Sequence, residues 1–150
     1  MLTIKQLWEN HPAVQDVVYP CSDFDSTSDS DATPNFENQC AIRMSVCLER
    51  CGIDFSRYRG VKCWYGCNET HALRVEELVP FLKKVEVLGE YNEIVAPNSS
   101  MFEHFSGIIV CYNFWNNGNG DHIDVVNDGE MTYGDLEFID RSERVGYWQF

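Results

Sequence analysis

The sequence predicts an α+β domain in which N-terminal helices pack on a C-terminal antiparallel sheet. Helical periodicity marks the first half, and a β-branched run followed by a Gly-rich turn opens the second. The two kinds of segment do not alternate, as a parallel sheet would require. With 150 residues and 44% apolar content the chain can close one core, and residues 1–150 read as a single domain.

Thr3 caps a helix running through Asn10, with Ile4, Leu7 and Trp8 as its apolar stripe and Pro12 as its stop. From Ser22 to Asn35 the chain is polar and acidic, with too few apolar side chains to pack, which predicts an exposed acidic loop over 22–35. The stripe Cys40, Met44, Cys47 and Cys51, with Ala41 and Leu48 beside it, predicts an amphipathic helix. Asn38 stands before it as N-cap and Gly52 after it as C-terminal cap. A turn-rich stretch around Gly60 and Gly66 leads to a helix over Val75–Val85, with Leu78, Phe81, Leu82 and Val85 facing inward and Pro80 placed to kink it. Gly107–Phe114 reads as a central strand and Asn116–Gly120 as a turn. His122–Val126 alternates as a second strand closed by Asn127-Asp128-Gly129, and Leu136–Ile139 and Tyr147–Phe150 add further strands.

Twenty-four acidic side chains against 11 Lys and Arg give a net charge of -13, which repels phosphates and anionic lipids and argues against nucleic-acid binding. No stretch reaches the roughly 20 apolar residues of a membrane span. Trp8-Glu9-Asn10-His11-Pro12 stands where a signal peptide would carry an apolar run, so a soluble chain is expected, and any export needs another route.

Seven cysteines are an odd number, which leaves at least one outside any full set of bridges. Cys47 and Cys51, four apart on one helix, are expected as buried small apolar groups. Cys63 and Cys67, beside Gly66, suit a disulfide, and Cys63-x3-Cys67-x3-His71 also has the spacing of metal ligands.

Cys40 falls in the first turn of its helix, where the macrodipole and free N–H groups favour a thiolate and can hold an oxyanion. Its general base is expected to be His122, at the start of a strand after a rigid turn. Asp135 leads as the group orienting the imidazole, with Asp124, Asn127 and Asp128 as alternatives. His104 reads as a packed or edge histidine, His11 and His71 as helix-end or loop residues.

The string Asn38-Gln39-Cys40-Ala41-Ile42-Arg43-Met44-Ser45 resembles the nucleophile motif of the fourth family of type VI secretion amidase effectors, where a Cys opens a helix and x-Ile-Arg-Met-Ser follows. Gly107-Ile108-Ile109-Val110, a Gly-rich turn and Gly120-Asp121-His122-Ile123-Asp124-Val125 are similar to the family's strand, turn and Gly-His-hydrophobic strand, with one residue inserted between Gly and His. The resemblance runs from about Phe36 to the C-terminus. It implies a papain-like (NlpC-type) cysteine peptidase fold and an antibacterial amidase that cuts the γ-D-glutamyl–meso-diaminopimelate bond of peptidoglycan stem peptides in the periplasm of a target cell. In that reading Cys40 is the nucleophile, His122 the base and later acid, and Asp135 the closest match to the third residue. Delivery by a component of a contractile secretion machine, a cognate immunity protein as inhibitor, and no metal or organic cofactor are implied as well. Two other readings are a non-catalytic domain stabilised by disulfides or by zinc at Cys63, Cys67 and His71, and a papain-like amidase acting on proteins.

Overall fold

The computed structural model describes residues 1–23, 33–84, 86–114 and 120–150. The middle of the expected acidic loop, Val85 and residues 116–119 of the expected turn lie outside them.

Helix α1, Ile4–Asn10, opens on a capping box in which the Thr3 hydroxyl accepts from the Gln6 N–H and the Gln6 side chain accepts from the Thr3 N–H. Strands β1, Ser22–Asp23, and β2, Thr33–Pro34, pair antiparallel, so the ends of the acidic segment are tied together. Helix α2, Cys40–Arg50, ends in a Schellman motif: Gly52 adopts φ +94°, its N–H donates to Glu49 O, and Ile53 N–H donates to Leu48 O. Helix α3, Val75–Leu82, carries Glu76 and Glu77 in its first turn and continues through Pro80 to stop short of the expected end.

The second half forms a five-stranded antiparallel sheet. Its members are β3 (Asn92–Val95), β4 (Gly107–Tyr112), β5 (His122–Asn127), β6 (Glu130–Met131) and β7 (Arg144–Gln149), in the order β3-β7-β4-β5-β6. Strand β4 is a continuous apolar run because both its faces are covered. Ile108 and Val110 join Ala41, Met44, Leu48, Leu78 and Leu82 of α2 and α3 in one core, while Ile109 and Cys111 join Phe102, Phe105 and Ile139 in another. Among the described residues no helix is long and apolar enough to cross a membrane.

Two expectations need correction. Leu136–Ile139 is not a strand: helix α4, Glu137–Arg141, occupies this stretch. The Leu-Glu-Phe alternation suggested period two, but the Asp135 carboxylate accepts the Glu137 N–H at 2.8 Å and starts a helical turn that buries Ile139. Nor is α2 amphipathic in practice, since Cys40–Leu48 is buried on every side and its polar residues face packed loops rather than water.

Those polar residues act as clamps. Gln39 is fully buried, with its side chain accepting from Cys21 N–H at 3.0 Å and donating to Cys21 O at 2.8 Å. Arg43 Nη1 donates to Val18 O at 2.7 Å, and Ser45 Oγ accepts from Ala72 N–H at 3.0 Å. Toward the other end, the Cys47 and Cys51 thiols donate to the carbonyls of Leu7 and Gln6 on α1. The helix is thereby fixed in position by groups that a solvent-facing helix would leave free.

Candidate active site

Strand β6 pairs only with Val126 and Asn127, so among the described residues no strand flanks the start of β5 on that side, and α1 and α2 both pack on β5. This brings the first turn of α2 to His122. The Cys40 side chain stands near enough to the His122 imidazole to favour its protonated form, and the Cys40 sulfur lies 3.8 Å from Asp121 O. Asp121, the residue inserted before His122, accepts the Asn113 N–H on its carboxylate at 3.0 Å, which turns its own carbonyl toward Cys40.

The carboxylate on His122 is that of Asp124. His122 Nε2 is 3.1 Å from Asp124 Oδ2, because residues two apart on a strand share a face. Asp124 is 1% exposed and saturated with donors: the N–H groups of Val125 and Tyr133 at 2.9 and 2.8 Å, and the Thr132 hydroxyl. Asp135, the expected third residue, is exposed beyond β6, with its carboxylate turned to Glu137 N–H. Asp128 is exposed and paired with the exposed His104 at 3.3 Å, and Asn127 closes the β5–β6 turn opposite Glu130. The period-two spacing of His122 and Asp124 was the signal that could have ranked Asp124 first.

A second histidine reaches the same carboxylate. His11, the C-cap of α1, is buried with Nε2 3.5 Å from Asp124 Oδ1 and 3.3 Å from Thr132 Oγ1. Its Nδ1 accepts from Ala13 N–H at 3.2 Å, so the neutral ring carries its proton on Nε2. Burial pulls its pKa down to about 4 against the attraction of Asp124. Burial also works against a charged His122, but the hydrogen bond to Asp124 and the nearby Cys40 side chain overcome it and raise that ring to about 9. Burial alone would raise Asp124, yet the His122 hydrogen bond and charge hold it below the ordinary carboxylate value.

Two hollows flank the pair. One of about 350 Å³ is lined by Asn38, Arg43, His122, Tyr133, Phe138 and Arg141. The other, of about 390 Å³, has Asn38, Cys40, Arg74, Glu76 and Asp121 in its walls. Asn38 belongs to both, and its Oδ1 accepts the Cys40 N–H at 3.2 Å, so the side chain expected as the N-cap instead sits over the first free amide of α2. Arg43 stacks on Tyr133 with its guanidinium carbon 3.9 Å from the ring centre. Neither Arg43 nor Tyr133 stood out in the sequence as a site residue.

A thiol opening a buried helix, an imidazole on the neighbouring strand of an antiparallel sheet and a carboxylate behind that imidazole define a papain-like, NlpC-type α+β fold. The chain belongs to the family of type VI secretion system amidase effector protein 4, Tae4, whose family model matches residues 36–148. Solved structures agree in fold. The Tae4–Tai4 effector–immunity complex from Salmonella Typhimurium superposes with a TM-score of 0.71 at 20% identity, covering 100% of this chain and 98% of that one. The corresponding complex from Enterobacter cloacae gives 0.70 at 20% identity, with 100% and 99% covered. Tae4 from Enterobacter cloacae alone gives 0.70 at 20%, with 100% and 97% covered. No curated protein sequence matches the chain.

Proposed function

We propose that this amidase effector is an antibacterial cysteine endopeptidase that hydrolyses the γ-D-glutamyl–meso-diaminopimelate bond of peptidoglycan stem peptides in the periplasm of target bacteria. The observation carrying this reading is the Cys40–His122–Asp124 chain at the junction of two hollows, in a member of an amidase effector family. The Cys40 thiolate attacks the γ-carbonyl carbon, and the developing oxyanion takes the Cys40 N–H in place of Asn38 Oδ1. With Nε2 held by Asp124, the other ring nitrogen of His122 gives its proton to the departing amine as the C–N bond breaks. The same nitrogen then takes a proton from water, which attacks the thioester and releases the glutamate carboxylate and Cys40. No step calls for a metal or organic cofactor.

Arg141, exposed in one hollow, suits a carboxylate of a stem peptide, which answers locally the net charge of -13. A cognate immunity protein as inhibitor follows from the Salmonella and Enterobacter relatives, which are seen with Tai4. The acidic surface fits a basic partner face. Delivery through a secretion-machine component completes the reading.

The test is mass spectrometry of Gram-negative muropeptides incubated with wild type, Cys40→Ala and His122→Ala. Cleavage between D-glutamate and diaminopimelate by wild type alone is expected. Intact fragments in every sample, from folded protein, would contradict the reading and favour an amidase acting on proteins.

A further inference from the structure

We propose that Cys21, Cys63, Cys67 and His71 form a structural zinc site with three cysteine ligands and one histidine, separate from the Cys40–His122 pair. One ligand atom from each residue lies within 4.8 Å of every other. Tetrahedral zinc with Zn–S bonds of about 2.3 Å sets its sulfurs about 3.8 Å apart. The Cys21 and Cys67 sulfurs are 3.8 Å apart.

The fold brings the four together from two directions. Lys62 and Ala72 form an antiparallel bridge, and Cys63 N–H donates to His71 O at 3.0 Å, so Cys63 and His71 stand at the neck of one loop with Cys67 inside it. Cys21 arrives from the other side, gripped through its backbone by Gln39. Asn35 Nδ2 donates to the Cys21 sulfur at 3.5 Å, an outer contact of the kind that orients a thiolate ligand. Phe36, Ile42, Val46 and Leu73 enclose the cluster in apolar surface.

The Cys63 and Cys67 sulfurs are bonded to each other in the structure, as the sequence led us to expect. That bond uses two of the four and leaves the Cys21 thiol and the His71 ring outside it. The Cys21 thiol is 1% exposed, and His71 Nδ1 is buried without a hydrogen-bond partner among the described residues. Zinc engages all four. Loading begins from the reduced form: a dithiol reductant delivers two electrons and two protons to the Cys63–Cys67 bond and leaves as a cyclic disulfide. Zinc then displaces the thiol protons of Cys21, Cys63 and Cys67 and takes a lone pair from neutral His71. Four protein ligands leave no open position, so the metal holds structure and Cys40 keeps the chemistry. Because Gln39, the residue before Cys40, grips the Cys21 backbone, the metal would pin the start of α2.

The full-length protein, produced with zinc and kept reduced, is analysed by elemental and native mass spectrometry. One zinc per chain is expected in wild type and in Cys40→Ala, and none in Cys67→Ser; cobalt substituted for zinc should show thiolate-to-cobalt charge-transfer bands. Should Cys67→Ser fail to fold, Asn35→Ala leaves all four ligands in place and should weaken zinc about 10- to 100-fold in a chelator competition. Reduced wild type that stays metal-free with zinc supplied would overturn the proposal. So would zinc held equally well by Cys21→Ser and His71→Ala.

Discussion

His122 and His11 share one carboxylate and respond to it in opposite directions. Both rings are buried, with Nε2 at 3.1 and 3.5 Å from an Asp124 oxygen, yet one rises to about 9 and the other falls to about 4. Burial disfavours charge on each. At His122 a direct hydrogen bond to Asp124, joined by the pull of the Cys40 side chain, outweighs it. At His11 the Asp124 attraction stands alone, opposed by the positive charges of Arg43 and His122. One buried carboxylate therefore supports one buried cation, and the second ring serves as a neutral donor. Proximity to a carboxylate does not charge a histidine; the balance of bonds and neighbouring cations does.

The strongest way to break this contrast is to remove the carboxylate. Asp124→Ala strands the His122 charge and should cost about 3–5 kcal/mol of stability in urea melts. Hydrolysis of muropeptides should fall on the order of 10³- to 10⁴-fold. The milder Asp124→Asn should leave His122 titrating well short of 9, observable by NMR.

Stability against pH sharpens the contrast, because the two rings act on opposite limbs. His122 has a folded pKa above its unfolded 6.5, so its contribution is complete below 6.5 and is lost as pH rises through about 9. His11 has a folded pKa below 6.5, so acid favours the unfolded chain, and stability falls as pH drops from 6.5 through about 4. Each limb is worth about 3 kcal/mol. Denaturation midpoints measured from pH 4 to 9 should trace a dome near neutrality. His122→Gln should flatten its alkaline side and His11→Gln its acid side.

Smaller effects follow at positions that only support the carboxylate or lie apart from it. His11→Gln keeps a donor facing Asp124, so turnover at neutral pH should change by less than about tenfold. Asp135→Ala removes only the start signal of α4 and should cost about 1 kcal/mol, with hydrolysis unchanged. Equal losses in Asp135→Ala and Asp124→Ala would reverse the assignment of the carboxylate.

Much of this site was legible because it rests on local patterns. The helix after Cys40 and the strand after the Gly-rich turn follow from periodicity, and the pairing of their first residues follows from the family string. The third carboxylate was harder, since Asp124 and Asp135 both lie near His122 in sequence and only the fold turns Asp135 outward. His11 could not be placed from sequence: it lies 113 positions before Asp124, and the contact exists only because α1 packs on β5. Arg43 and Ser45 were hidden for a related reason. A helix with polar residues on one side reads as amphipathic, whereas here loops supply buried acceptors and donors for each of them.

The most direct measurement is an NMR pH titration of both rings in Cys40-intact protein, with Asp124→Asn alongside. The account predicts one histidine protonated through neutrality with a midpoint about 9 and one neutral down to about 4, the first falling when Asp124 is replaced. Two rings titrating together near 6.5, unmoved by Asp124→Asn, would contradict it.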